Sequence, residues 1–548
     1  MTLRLDRRQL IHAAMFGLGA LSLPAMASVL SARGFTHGVA SGEPDSDSVL
    51  LWTRFVAEGD VRLKAEIARD VGFTRIVNGG EVVAEVQRDH TARLTIRGLE
   101  PGRWYFYRFI APDGSMSVTG RTRTLPVGEV SKFGIGLFSC SNLGFGWFNA
   151  YAHACERSDL DVVVHVGDYI YEYPLGSYPD LKSLIPGRHI EPEHEIVSLA
   201  DYRLRYASYR LDPDLQRIHQ FYPMIAQWDD HELTNDAWME GAENHQPATE
   251  GDWPTRRAVA ERVYREWMPV SDSRWRDYQI GSLATLFKLE TRISGRSAPP
   301  DLESALKGRE DIAKALVEFR EGVVNSSSRT MLGAEQEEWL RRGLRRSTAA
   351  KTRWQVLAQQ VLMGEIIMPQ DAAKWVSTES PEFIRRRLRA GLAASRAGLP
   401  YNLDSWGGFP AARARLLKDA ADANADLVVL AGDTHNAWAQ NLSIGQQKVG
   451  VEFATQSVAS PGFEYNLPGV DPLDIARAVT AHNPGLAYMD ASRRGYTSIL
   501  LTPESVTGQF HFLKTVRERG TALDGTQTLR AAPANSISSD DLGVFHDH

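Results

Sequence analysis

The sequence predicts an α/β domain preceded by a small all-β unit, and three observations carry that prediction. Short runs rich in β-branched and apolar residues, such as Val162-Val163-Val164-His165-Val166 and Leu427-Val428-Val429-Leu430-Ala431, stop abruptly at a glycine and are separated by helical stretches. Such runs read as strands buried on both faces of a parallel sheet. Residues from about 35 to 125 show short alternating segments with turns between them, the pattern of antiparallel strands. The 548 residues, 43% hydrophobic and 24% charged, have the size and composition of two or three soluble globular domains.

Residues 1–27 read as an export signal. Asp6-Arg7-Arg8-Gln9-Leu10-Ile11 is a twin-arginine motif, an apolar glycine-containing segment runs from Ile11 to Leu23, and Ala25-Met26-Ala27 supplies small residues for cleavage. The apolar segment is too short for a permanent membrane span. The expectation is a periplasmic or secreted protein whose partner during export is the twin-arginine translocon.

Within residues 34–127, Val49–Arg54, Leu63–Ile67 and Ala92–Ile96 read as strands, and Leu99-Glu100-Pro101-Gly102 turns into the aromatic strand at Trp104–Arg108. A buried Trp52, with Tyr105 just after the Leu-x-Pro-Gly corner, resembles an immunoglobulin-like fibronectin type III sandwich. No titratable cluster occurs there, so the unit reads as a structural or docking module.

From about residue 131 to 515 the pattern is α/β. Phe133–Phe138, a helix over Trp147–Glu156 and a strand over Asp161–Val166 form a strand–helix–strand unit. A helix over Leu199–Tyr209 and a strand over Phe221–Trp228 follow. Residues 233–330 read as largely helical, with a strand over Leu283–Arg292. Later come a helix from Gly333, a strand over Trp354–Val361, an aromatic, glycine-rich loop from Tyr401 to Arg413, and strands at Val449–Ala454, Tyr496–Pro503 and Ser505–Phe512. The tail, 516–548, is polar and reads as poorly ordered. The two cysteines exclude a disulfide framework: Cys155 reads as core, Cys140 as functional, and one bridge between them stays open. The net charge of −7 argues against nucleic acid as a binding partner, though not as a substrate.

Chemistry-bearing groups stand at the ends of these apolar strands. They are Cys140, Asp168 with Tyr171, Asp230 with His231, Gln360, and Asp433 with His435. Ligands collect at the carboxyl ends of parallel strands. Two Gly-Asp strand ends far apart in sequence are what a two-metal site between adjacent loops requires. Asp229-Asp230-His231-Glu232 is a run rarely buried for packing alone.

This order resembles the calcineurin-like, purple-acid-phosphatase-like metallophosphoesterases. Their segments stand here as Ser139-Cys140, Gly167-Asp168-Tyr169-Ile170-Tyr171, Asp229-Asp230-His231-Glu232, Leu357-Ala358-Gln359-Gln360 and Gly432-Asp433-Thr434-His435. Cysteine replaces the first aspartate, aspartate replaces the asparagine, and Gln360 and Asp433 replace histidines. Together with the fibronectin-like unit, these departures resemble the PhoD-type alkaline phosphatases, over roughly residues 34–515.

The resemblance implies a metallophosphoesterase β-sandwich flanked by helices. It also implies an alkaline phosphatase that hydrolyses phosphomonoesters and phosphodiesters through attack by a metal-activated hydroxide. The implied cofactors are ferric iron and one or two calcium ions. Thiolate and phenolate from Cys140 and Tyr171 suit iron, oxygen donors from Asp433 and Gln360 suit calcium, and Asp168 has two oxygens with which to bridge. Asp230 and His435 complete the ligand set. His231 takes the part of general acid; for Asn142 and Arg292 the residues leave open holding phosphate oxygens, positioning the loops, or a purely surface or structural role. Small phosphate esters are the expected partners, and the oligomeric state is open. Two other readings are a phospholipase-like diesterase, with Trp406 and Phe409 touching lipid, and a non-enzymatic envelope-binding protein.

Overall fold

The computed structural model describes residues 32–533, apart from 378, 379 and 381. The export-signal reading of residues 1–27 lies outside the described residues.

The N-terminal unit comprises β1 (Gly34–Gly42), β2 (Val49–Val56), β3 (Val61–Ala68), β4 (Ile76–Ala84), β5 (Thr91–Ile96), β6 (Trp104–Ile110) and β7 (Gly120–Arg123). Strands in the order β4-β3-β6-β7 form one antiparallel sheet, and β1, β2 and β5 cover it across a core that includes Leu51, Leu63, Ile67 and Phe109. The Tyr105 hydroxyl accepts from the Glu100 N–H at 2.9 Å, which locks the expected corner.

Trp52 departs from its expected place. Neighbouring side chains on a strand face opposite ways, so with Leu51 in the sandwich core Trp52 points out of it. Its Nε1 donates to the Glu266 carbonyl at 2.8 Å, and its ring lies 6.1 Å from that of Trp267.

The α/β part contains β8 (Phe133–Phe138), α1 (Asn149–Glu156), β9 (Val162–His165), α2 (Leu199–Tyr209), α3 (Pro213–Phe221), β10 (Met224–Ala226), α4 (Trp253–Trp267), β11 (Arg276–Ile280) and β12 (Ala284–Lys288). It continues with α5 (Ile312–Phe319), α6 (Gly333–Ala349), β13 (Trp354–Ala358), α7 (Glu382–Arg396), α8 (Pro410–Asp422), β14 (Leu427–Ala431), β15 (Ala437–Ile444) and β16 (Gln447–Ala454). The last elements are α9 (Pro472–His482), β17 (Leu486–Asp490), β18 (Gly495–Leu501), β19 (Val506–Leu513) and β20 (Leu523–Ala531). The strand expected over Phe221–Trp228 shrinks to β10, because Asp212 caps α3 and the helix runs on to Phe221. The tail is corrected as well. Residues 523–531 form β20, which pairs antiparallel with β19.

One sheet runs β20-β19-β18-β8-β9-β10-β1-β2-β5 and the other β11-β12-β13-β14-β16-β15-β17. Parallel pairs β8/β9/β10 and β12/β13/β14/β16 form their centres. Apolar side chains of both, including Ile135, Val164, Val356, Val428 and Phe453, share one core between the sheets. A second core, with Tyr151, Tyr206, Ile218 and Tyr264 from α1–α4, covers the outer face of the first sheet. Leu340, Leu344, Leu416 and Leu417 from α6 and α8 cover the second. The result is the expected β-sandwich flanked by helices.

The N-terminal unit is built into this frame. β1 pairs in parallel with β10, so its three-stranded half extends the larger sheet. Buried Glu43, just after β1, accepts from Lys288 of β12 at 2.9 Å and from Arg276 of β11 at 3.1 Å. This ion triad ties the unit to the second sheet.

Candidate metal centre

Parallel strands end together, and here the ends of both sheets converge. Cys140 follows β8, Asp168 follows β9, and Asp229 and Asp230 lie beyond β10. Across from them, Gln360 follows β13 and Asp433 follows β14. Cys140, Asp168, Asp433 and His435 take φ values of +62°, +54°, +68° and +65°, a region that non-glycine residues seldom adopt and that clusters at functional sites.

Two glycines let the loops meet. A Cβ on Gly432 would stand 2.3 Å from Ser139 Oγ, and one on Gly167 (φ +107°) would stand 2.2 Å from Asp229 Cβ. Glu232 then pins the turns, accepting from the backbone N–H groups of Asp168 (3.1 Å), Tyr169 (2.7 Å) and Asp229 (2.7 Å).

The side chains form three overlapping groups whose donor atoms lie within 4.8 Å of one another: Cys140 with Asp168 and His435, Asp168 with Asp230 and His231, and Asp229 with Asp230 and Asp433. Asp168 belongs to two of them. The Tyr171 hydroxyl joins the first group, 3.0 Å from Asp168 Oδ2 and 3.2 Å from His435 Nε2. His435 Nδ1 lies 2.7 Å from the Pro461 carbonyl, which turns Nε2 towards the cluster.

Arg292 alone does not offset the cost of burying so many carboxylates together. Burial, with Asp230 and Asp229 adding, pushes the Asp168 carboxyl well up. Burial and then Asp229 do the same to Asp433, against the pull of Arg292. Asp229 rises to about 7, through burial and despite Arg292. Asp230, though buried, is drawn down to about 2 by Arg292 and His231. Burial and Asp168 raise the Cys140 thiol and the Tyr171 phenol. Buried Asp168 Oδ1 and Asp229 Oδ2 have no hydrogen-bond partner. A bound cation reverses the penalty on each of these anions, so the donor set fits metal.

The other predicted residues fall around this cluster. Gln360 has its amide engaged, accepting from Thr291 Oγ1 at 2.7 Å and donating to the Trp228 carbonyl at 2.7 Å. Asn142 is likewise committed, to the Tyr178 carbonyl (3.2 Å) and the Phe145 N–H (3.2 Å). Arg292 is fully buried and bonds Asp229, Asp404 (2.5 Å), Asp230 (3.2 Å) and Asp433 (3.1 Å). His231 Nδ1 donates to Glu172 Oε2 at 2.6 Å.

Sequence reasoning did not single out Glu172, although it ends the Gly-Asp-x-x-Tyr segment, nor Asp229 as distinct from Asp230. Cys140 and Cys155 are both free and buried, so no bridge forms. Trp406 and Phe409 are buried too, at 1% and 0% exposure, with the indole donating to Gln359 Oε1 at 2.6 Å. This corrects the lipid-contact reading of their loop.

A buried, carboxylate-rich centre at the strand ends of a two-sheet sandwich defines an α/β protein with a candidate metal centre. Residues 133–510 match the PhoD-like phosphatase family and residues 22–126 match the PhoD-like phosphatase N-terminal domain, and the chain belongs to this family. It is 32% identical over 522 residues to alkaline phosphatase D of Bacillus subtilis (strain 168), covering 89% of this chain and 79% of that protein. It superposes on a solved structure of PhoD with a TM-score of 0.76 and 30% identity, covering 93% of this chain and 92% of the other. The protein is a phosphoric ester hydrolase, which overturns the reading as a non-enzymatic binding protein.

Proposed function

We propose that this phosphatase is exported, depends on bound metal, and hydrolyses both phosphomonoesters and phosphodiesters. The observation that carries the metal reading is that Asp168 sits in one metal-capable group with Cys140 and His435 and is close to Asp230, which in turn groups with Asp229 and Asp433. Cys140, Tyr171 and His435 with Asp168 would hold ferric iron, whose charge suits thiolate and phenolate donors. The carboxylates of Asp229, Asp230 and Asp433 would hold one or two calcium ions. Such ions supply neutralisation of phosphoryl charge and a lowered pKa for water.

The chain's own groups do the rest. His231, fixed by Glu172, delivers a proton to the departing alkoxide. Arg292 is enclosed by four carboxylates, so it holds the ligand loops together and does not reach substrate. The twin-arginine motif supports export to the periplasm or beyond, and fractionation of cells making the full chain tests it.

Turnover of an aryl phosphate and of its diester, before and after chelation, tests the function. Both should be hydrolysed and both should stop on chelation. Unchanged rates in a protein shown to be metal-free would overturn the proposal.

A further inference from the structure

Arg210, directly after α2, is fully buried at the seam between the N-terminal unit and the α/β part. Its Nη1 donates to His219 Nε2 and to the Trp267 carbonyl, each at 3.3 Å, and its guanidinium lies 4.3 Å from the ring centroid of Trp52. Nε and Nη2 have no partner. Among the described residues no carboxylate lies within ion-pair distance of it, and the nearest acid in sequence, Asp212, is taken by Arg188 at 2.7 Å.

Arg188, Arg296 and Arg494, also buried, each pair with a carboxylate. Arg292 and Arg256 meet carboxylates, and Arg205 spreads its N–H groups over the carbonyls of Tyr171, Tyr173, Glu191, Pro192 and His194.

The surroundings repeat the pattern. His219 of α3 and Trp267 of α4 are buried and each carries a ring nitrogen without a partner, while buried Tyr107 of β6 faces Ser41 of β1. Burial, then Arg54 and Arg210, keep His37 neutral, and burial with Arg210 keeps His219 neutral. Burial pushes the Tyr107 phenol up against the pull of Ser41 and Arg210, so it remains an O–H donor and supplies no counter-charge. A desolvated guanidinium costs more than one cation–π contact returns. Water would satisfy the donors but brings no charge.

We propose that Arg210, with Tyr107 and Ser41, binds a small inorganic monoanion of the halide class at this seam. One guanidinium matches one negative charge, and walls buried on every element favour a monatomic ion over a phosphate dianion. The site adjoins the metal cluster through Tyr169, the neighbour of Asp168, whose hydroxyl lies 2.8 Å from His219 Nε2 and interacts with Arg210.

Crystals of the full chain grown in sodium bromide test this directly. An anomalous peak beside Arg210 Nε and Nη2 is expected, and ordered water there without an anomalous signal would overturn the proposal. In solution, the thermal midpoint should rise by about 1–3 °C for each tenfold increase in chloride, against sodium gluconate at equal ionic strength. Tyr107→Phe and Ser41→Ala, mild enough to fold, should weaken that dependence, and Arg210→Gln should abolish it. Equal midpoints in both salts for the unaltered protein would contradict the site.

Discussion

His231 Nδ1 stands 2.6 Å from Glu172 Oε2, and the two side chains are 9% and 0% exposed. Glu172 is itself held by the Asn235 N–H at 2.8 Å and by Thr234 Oγ1 at 3.1 Å, so it does not swing. Burial works against a charged imidazole, but Glu172, Asp230 and Asp168 together raise its pKa well above the ordinary value. The arrangement stores a proton on a fixed ring beside the cluster.

If that proton goes to the leaving group, the loss on removing His231 scales with how poor the leaving group is. Proton donation contributes about 10²–10⁴-fold, whereas a nitrophenolate departs without help. His231→Ala should therefore slow an alkyl phosphate far more than a nitrophenyl phosphate, and Glu172→Gln should shift both in the same direction by less. Parallel losses on the two substrates would make His231 a positioning group.

Tyr171 is placed to give iron a visible signature. Its hydroxyl lies 3.0 Å from Asp168 Oδ2 and 3.2 Å from His435 Nε2. Phenolate bound to ferric iron gives a charge-transfer band in visible absorption, and Tyr171→Phe should bleach or shift it. A colourless, iron-free protein with full activity would remove iron from the assignment.

Acid stability depends on the triad that ties the N-terminal unit down. Glu43 is buried, which alone would raise its pKa, yet Lys288 and then Ser271 and Arg276 bring it down from 4.5 to about 2. A depressed carboxyl stabilises the fold above its unfolded pKa, and that contribution is lost as the pH falls from about 4.5 towards 2. Glu43→Gln strands Lys288 in the interior and should cost about 3–5 kcal/mol near neutrality. Its urea midpoint should fall less steeply than that of the unaltered protein over the same acid range. Identical acid limbs would show that the triad contributes nothing.

The strand-end chemistry is legible in the sequence because parallel strands buried on both faces are unbroken apolar runs, and the groups that end them stand out. Phe133–Phe138 and Leu199–Tyr209 carry such strong patterns that their limits coincide with β8 and α2. Partnerships across the fold are not legible. Glu172 meets His231 59 residues away, and Arg292 gathers carboxylates from three other loops. β20 is an edge strand with only Leu529 and Ala531 buried, so its polar sequence resembles a loose tail. Trp52 is buried as expected, but its direction depends on a neighbouring helix that no local pattern reveals.

The central claim is that one carboxylate, Asp168, serves two metal positions. Elemental analysis of Asp168→Asn beside the unaltered protein tests it most directly, with circular dichroism to confirm folding. The account predicts that the folded variant loses both iron and calcium, together with turnover. A folded Asp168→Asn protein that keeps its full complement of both metals would contradict it.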